Sequence, residues 1–312
     1  MKDMKTPLVS AIITCYNYGE FVGEAIESLL AQTYSNIEII AIDDGSTDNS
    51  LQVINKYQSN LRVISRANHG IVYTRNEGLR IAKGEYAVFL DADDFFDKGY
   101  IEQMVAIAEK THADVVYPNW HVFGDQEYRT EFAEFDVQKL IKQELHCTAE
   151  SLIRRSATVD HEFESVAIAE DWDYFLGLAL AGKKFVLAAD SYINYRVRTG
   201  TRATTKTLWE NMYDFCAILE KWQQKYPDVV NHLDLPIGCG MQRDGQIDEL
   251  KQKLATSEAM VKKQDQDARQ MRHEISRLDK DIHKIYRSKK YRIGETIARP
   301  LALVKKPHRE TK

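Results

Sequence analysis

Four runs of nearly unbroken apolar residues, at 8–14, 37–42, 61–65 and 85–91, constrain the fold of this chain most. A strand with one face in water alternates apolar and polar side chains. A strand covered on both faces reads as a continuous apolar run. Between the runs, apolar residues recur at helical spacing: Phe21, Val22, Ala25, Ile26, Leu29 and Leu30 over 21–32, with further helical segments at 49–57 and 70–82. This alternation predicts an α/β fold, a mostly parallel sheet covered by helices on both faces. Beyond it the pattern gives a helix at 100–108, a strand at 114–117, a helix opening at Glu170, and a closing helix at 207–226. The stretch 119–136 has no assignable period.

Each strand stops at polar residues. Tyr16 and Asn17 follow the first, Asp43 and Asp44 the second, and Asp91, Asp93 and Asp94 the fourth. Ligands of open α/β sheets bind outside the carboxyl ends of the strands, so these residues are expected to share a pocket. Asp91 and Asp93 are two apart, which on an extended strand end points both to one side. Two adjacent carboxylates repel unless something positive lies between them, and a divalent metal carrying a diphosphate supplies that charge. The acids also suit a plainer role, as a turn and cap before the helix at 98–109; likewise Asp43 and Asp44 suit a turn, with Ser46 or Thr47 capping the next helix. Neither a Gly-x-Gly-x-x-Gly after the first strand nor a Walker A loop occurs. A nucleotide here is therefore expected to rest on carboxylates, an aromatic ring and a metal.

Thr14-Cys15-Tyr16-Asn17, Asp43-Asp44-Gly45-Ser46-Thr47-Asp48, Arg75-Asn76 with Gly78, and Asp91-Ala92-Asp93-Asp94 stand in the order typical of family-2 inverting glycosyltransferases. Over roughly residues 7–225 the chain resembles that family, which implies the GT-A fold and a nucleotide-sugar donor. On this resemblance Thr14, Tyr16 and Asp44 bind the base, with the ring stacked and the carboxylate accepting from the imide of uracil. Asn17 and Asp43 belong to the same donor site. Arg75 is the nucleotide-side arginine and Asp91 the ribose-facing acid. Asp93, with Asp91, holds a divalent Mn2+ or Mg2+, and Asp94 caps the following helix.

Further on, Ser151 to Ser156 resembles the family's apolar-then-arginine segment. At 160–164 the family's paired glycines are replaced by Asp160, His161 and Glu162. Glu170-Asp171 matches the family's base motif. Asp171, with Glu170 as alternate, is expected to be ionised at neutral pH and to take the proton of the acceptor hydroxyl; a purely structural role in a helix first turn is the other reading. Where the family often has a metal-binding histidine this chain has Arg198. Arginine is always cationic and cannot replace it as a ligand. Arg198, with Arg196 or Arg202, is expected to bind the diphosphate by charge-assisted hydrogen bonds. That leaves a thin protein shell on the metal, for which His161 is a remote substitute ligand.

The residues after 226 change character. Pro227, Pro236, Gly238, Gly240 and Gly245 mark a linker over 227–246. Ile247, Leu254, Val261, Ala268, Ile275 and Ile282 then recur every seven residues, interleaved with Leu250, Ser257, Gln264, Met271, Leu278 and Ile285. This predicts a C-terminal α-helical coiled coil over 247–286 and a homodimer or homotrimer; a single surface helix is the alternative. The tail at 287–312 is basic and amphipathic, suited either to peripheral contact with an anionic membrane or to a solvated tail. The net charge of −5 argues against nucleic acid as a partner. Cys15, Cys147, Cys216 and Cys239 show no metal or redox spacing and are expected to be reduced thiols in a cytoplasmic protein.

These expectations describe a metal-assisted glycosyltransferase acting on a glycan or lipid-linked acceptor in bacterial surface-polysaccharide synthesis, with 1–226 as its GT-A domain. The alternative is an oligomeric scaffold that has lost activity, which metal-dependent donor hydrolysis would exclude. A nucleotidylyltransferase would need a glycine-rich triphosphate loop that 16–20 does not supply.

Overall fold

A computed structural model describes residues 6–164, 169–198 and 208–230, together with Arg277. The chain divides into two units, Met1–Arg243 and Asp244–Lys312. The expected coiled coil and tail, most of the linker, and Arg202 lie outside the described residues.

The first unit opens as the apolar runs require. Strands β1 (Val9–Cys15), β2 (Ile37–Asp43), β3 (Arg62–Ser65) and β4 (Tyr86–Asp91) alternate with helices α1 (Val22–Leu30), α2 (Ser50–Asn55) and α3 (Ile71–Ile81). All four strands pair in parallel, in the order β3-β2-β1-β4. Every residue of β1 is buried, and so are all of β4 but its last. The register sets Cys15 beside Asp43 and Thr14 beside Asp91, so the polar strand ends lie level along one edge.

Beyond β4 the sheet becomes mixed, which corrects the mostly parallel expectation. The next strands are β5 (Phe95–Phe96), β6 (Val115–Gly124), β7 (Tyr128–Thr130), β8 (Leu152–Arg154) and β9 (Phe185–Val197), with the path continuing β4-β8-β6-β9-β5 and β7 on β6. β8 runs antiparallel to both of its neighbours. β6 and β9 are parallel, with a register break after Pro118, where the missing N–H of proline already interrupts the ladder. The unassigned stretch 119–136 is thus the end of β6 and a hairpin into β7. Helices α4 (Tyr100–Thr111), α5 (Val137–Ile141), α6 (Glu170–Leu180) and α7 (Leu208–Lys225) complete the unit.

Two apolar layers sandwich the sheet. One packs Ile13, Val88 and Leu90 against Ala25, Ile26 and Leu29 of α1 and Ile101, Met104 and Val105 of α4. The other packs Ile12, Ile40 and Phe89 against Phe163, Phe175, Leu176 and Trp222. Each such side chain contributes about 1.5–3 kcal/mol when fully buried. α3 approaches the sheet at Gly78, where a Cβ would stand 2.8 Å from Ile12 and 3.3 Å from Phe89.

Candidate functional site

The acids after β4 do not continue the strand. Ala92 and Asp93 form a turn in which the Asp94 N–H donates to the Asp91 carbonyl at 3.1 Å. The extended geometry expected for Asp91 and Asp93 is corrected on this point. Asp94 does not cap α4, which starts beyond it at Tyr100. Its carboxylate is 1% exposed and accepts from the Arg196 N–H at 2.7 Å.

Arg75 is the centre of the site. It is 2% exposed and its guanidinium pairs with three acids: Asp91 at 3.3 Å, Glu170 at 3.4 Å, and Asp171 in closer contact. Burial alone would lower its pKa, but Asp171, Asp91, Glu170 and Glu150 reverse that and raise it above the usual arginine range. A solvated helix face is therefore not its environment. α3 carries Arg75 over the sheet edge, and the next residue anchors the segment that leads toward α6. Asn76 donates to the Phe163 carbonyl and accepts from the Phe163 N–H, both at 2.8 Å.

Asp91 accepts from Thr14 Oγ1 at 2.7 Å. Asp171, in the first turn of α6, is pushed up to about 7, mainly by burial and further by Glu170 and Asp91, with Arg75 opposing. Burial therefore works against the full ionisation expected at neutral pH. Asp93 is pushed up to about 6 by burial and by the charge of Asp91, while Arg198 and a hydrogen bond from the Tyr18 hydroxyl pull it back. Arg198 lies over the rings of Phe21, at 4.3 Å, and Tyr18, at 5.6 Å. Arg196 donates to the Asp93 carbonyl and pairs with Glu24.

The nucleotide-side residues divide into exposed and buried. Tyr16 is 45% exposed. Asn17 has left-handed backbone, which asparagine tolerates. Its Oδ1 accepts from Thr47 N at 2.7 Å, while its own N–H donates to Ser46 Oγ at 2.9 Å. Ser46 and Thr47 thus staple two loops, and the α2 N-cap is Asn49 instead. Asp43 is buried and accepts from Ser65 Oγ at 2.9 Å. Asp44 accepts from the His69 and Gly70 N–H groups, both at 2.8 Å, and pairs with Arg66.

Three participants were not read from the sequence: Glu150, Arg66 and Tyr18. Glu150 is 4% exposed and pushed up to about 8 by burial and by Asp91 and Asp171. Its neighbour Ala149 donates a backbone hydrogen bond to Asp171. An acid two residues before the short apolar pair Leu152-Ile153 was the available signal. Because β8 runs antiparallel, residues preceding it share the edge where parallel strands end.

His161 lies elsewhere, near Gly177 of α6, with burial and then Lys225 and Lys183 lowering its pKa. Among the described residues no group of three His, Cys, Asp or Glu side chains is arranged to hold a metal. Among them also, Cys15, Cys147 and Cys216 are buried and form no disulfide, and no helix is long and apolar enough to cross a membrane.

Residues 10–161 match the family model described as glycosyl transferase family 2. Glycosyltransferase GlyG of Streptococcus pneumoniae is 35% identical over 44% of this chain and 48% of its own length. The Escherichia coli UDP-Glc:alpha-D-GlcNAc-diphosphoundecaprenol beta-1,3-glucosyltransferase WfaP is 38% identical over 38% of this chain and 48% of its own. The chain therefore spans about half the length of these curated relatives. The crystal structure of S. aureus TarS 1-349 in complex with UDP-GlcNAc superposes with a TM-score of 0.61 at 21% identity, covering 71% of this chain and 67% of that one. That likeness establishes a GT-A-like α/β fold with a mixed sheet.

Proposed function

We propose that this chain is an inverting family-2 glycosyltransferase that moves a sugar from a nucleotide-diphosphate donor, a UDP-sugar, to a hydroxyl of a glycan or lipid-linked acceptor. The family match and the relatives named as glycosyltransferases support glycosyl transfer. The UDP-GlcNAc bound to TarS and the lipid-linked acceptor in the name of WfaP motivate the donor and acceptor classes. One observation carries the reading: Arg75 ties Asp171, at the mouth of α6, to Asp91, at the end of β4.

In this reading Tyr16 stacks on the base, Asp44 faces its imide, and Thr14 and Asp91 face the ribose. The acceptor oxygen attacks the anomeric carbon while its proton passes to Asp171. The bond from that carbon to the diphosphate oxygen breaks, so one displacement inverts the configuration. A base that titrates near the working pH combines a useful ionised fraction with a useful affinity for the proton. Arg75 holds Asp171 in place and limits the rise of its pKa. The half-buried rings of Trp120, Phe132, His146 and Tyr195 cluster near the same edge and form an acceptor-side wall.

The residues fit a divalent cation held chiefly by Asp93. Burial and the charge of Asp91 strain the ionised Asp93 carboxylate, and a cation relieves both. Asp91 stands beside it; ligand oxygens and water complete the coordination, as Mg2+ in particular accepts. When bound, the ion supplies charge neutralisation at the diphosphate leaving group. We extend the proposal to a cytoplasmic location, self-association through 247–286 and membrane contact through 287–312, on their sequence patterns alone.

Thermal shift with a panel of nucleotide-sugars, with and without manganese, on the parent and on Asp93→Ala, tests the reading. One UDP-sugar at 100 times its Kd should stabilise the parent by about 2.7 kcal/mol, with the metal-dependent part lost in the variant. Absence of a shift with every donor would overturn the donor assignment.

A further inference from the structure

The sequence places Arg196 at the diphosphate, but the structure commits its donors elsewhere. Its backbone N–H donates to Asp94 Oδ1 at 2.7 Å, and its Nε donates to the Asp93 carbonyl at 2.8 Å. A terminal nitrogen pairs with Glu24 Oε2 at 2.5 Å. The guanidinium lies over two rings, 4.7 Å from the centroid of Phe21 and 4.3 Å from that of Phe123. Its side chain is 15% exposed. One residue thus joins β9, the turn at 91–94 and helix α1. A planar cation packed against two rings and held by acceptors along its edge has lost most of the rotamer freedom that a mobile phosphate-binding arginine keeps.

The turn needs such a support. Within it the Asp94 N–H donates to the Asp91 carbonyl at 3.1 Å, and its start is tied to β1 by the Ala92 N–H, which donates to the Thr14 carbonyl at 3.2 Å. The β5 strand that follows is two residues long and pairs only with β9, at Asn194 and Ile193. β9 therefore holds the turn from both sides of Asp94. Thr14 on β1, with Tyr16 and Asp44 just past the ends of β1 and β2, makes up the base and ribose side of the site, and none of the three has a hydrogen bond to Arg196.

We propose that Arg196 is a positioning residue that fixes the Asp93 peptide and so aims the Asp93 side chain at the metal-diphosphate of the donor, and that it is not itself a diphosphate ligand. The inference rests on the donor reading above. It predicts a separation: loosening Arg196 affects what Asp93 contributes and leaves base and ribose binding alone.

The test uses the full chain and two variants. Arg196→Lys removes the Nε bond but keeps the charge and the backbone bond to Asp94. Glu24→Gln weakens the outer anchor without touching the turn. Three quantities are measured: amide hydrogen exchange of the peptide covering 91–97, UDP affinity with and without manganese, and Tm. In Arg196→Lys, exchange at 91–97 should rise about tenfold while the β1 and β2 peptides stay unchanged, the effect of one lost hydrogen bond. UDP affinity without metal should stay within about twofold of the parent, and the tightening produced by manganese should shrink about tenfold. Glu24→Gln should move both readouts in the same direction by less. Weaker metal-free UDP binding with the manganese effect intact would make Arg196 a phosphate ligand and overturn the proposal. Unchanged exchange at 91–97, or a rise spread over the whole sheet with a fall in Tm, would overturn it as well. A parent that binds no UDP would defeat the donor reading, while the exchange data would still decide whether the clamp exists.

Discussion

Replacing Glu150 by glutamine should make this protein more stable at neutral and alkaline pH, although it removes an acid from beside a cationic arginine. Glu150 is 4% exposed, and burial, Asp91 and Asp171 push it from 4.5 up to about 8. An acid whose pKa is raised by folding contributes its stability fully below the unfolded value, and that stability is lost as pH rises toward the folded one. The window here runs from about pH 4.5 to about pH 8. Each unit of difference corresponds to about 1.4 kcal/mol, so between pH 4.5 and pH 7 the parent should lose about 3 kcal/mol through this group. Glutamine matches the shape, does not titrate, and can donate its amide hydrogens to the neighbouring carboxylates. The Glu150→Gln variant should therefore lie close to the parent at pH 4.5 and about 2–3 kcal/mol above it at pH 7. Urea unfolding of both proteins at half-unit pH intervals measures this directly. Parallel pH profiles would refute the reasoning, because they would mean that Glu150 does not hold a proton in the folded state over that range.

Asp171→Asn should lower kcat by about 10²–10⁴ with little change in donor KM, and the parent should lose kcat/KM as pH falls below about 7; pH–rate profiles of both proteins check this. Arg75→Met leaves three carboxylates around an uncharged side chain and should cost about 3 kcal/mol at pH 8, near the low end of the range for broken buried pairs because Asp91 is 35% exposed at its side chain. The loss should shrink at pH 5 as Asp171 protonates, and chemical unfolding at the two pH values would show it. Gly78→Ala should cost about 1–3 kcal/mol, since its Cβ would meet Ile12 and Phe89 of the sheet, and a thermal melt would reveal an unaffected protein if the contact can relax.

The parallel half of the sheet was legible because burial on both faces leaves a long apolar signature, and 8–14, 37–42 and 85–91 carry it. The mixed half was not, because β8 has three residues and β5 has two, too few to display any period. The conjunction of Tyr16, Asp44, Asp91 and Asp171 along one edge followed from strand polarity and family resemblance. What Arg75 and Arg196 touch did not, since a charged residue in a sequence gives no sign of whether it faces water or a buried carboxylate. Arg66 illustrates the same blindness: it reads as a solvated loop residue, yet it pairs with both Asp44 and Glu77. At Asp93 the sequence left a strand end and a turn both open, as nothing in Asp91-Ala92-Asp93-Asp94 distinguishes an extended strand end from a bend.

The antiparallel β8 also sets an order of assembly. Strands β1 to β4 and the helices between them are complete once Asp91 has been made, including the pairing of β4 back onto β1. β8 must then seat beside β4, pairing Arg154 with Tyr86 across a long stretch of chain. At synthesis rates of roughly 5–20 residues per second, β4 waits several seconds with its outer edge unpaired. During that interval a nascent chain displays an apolar strand edge of the kind that templates misassembly. Slow mutations in this protein, those that hinder folding without weakening the finished structure, should therefore concentrate between α4 and β8, where the delay is decided.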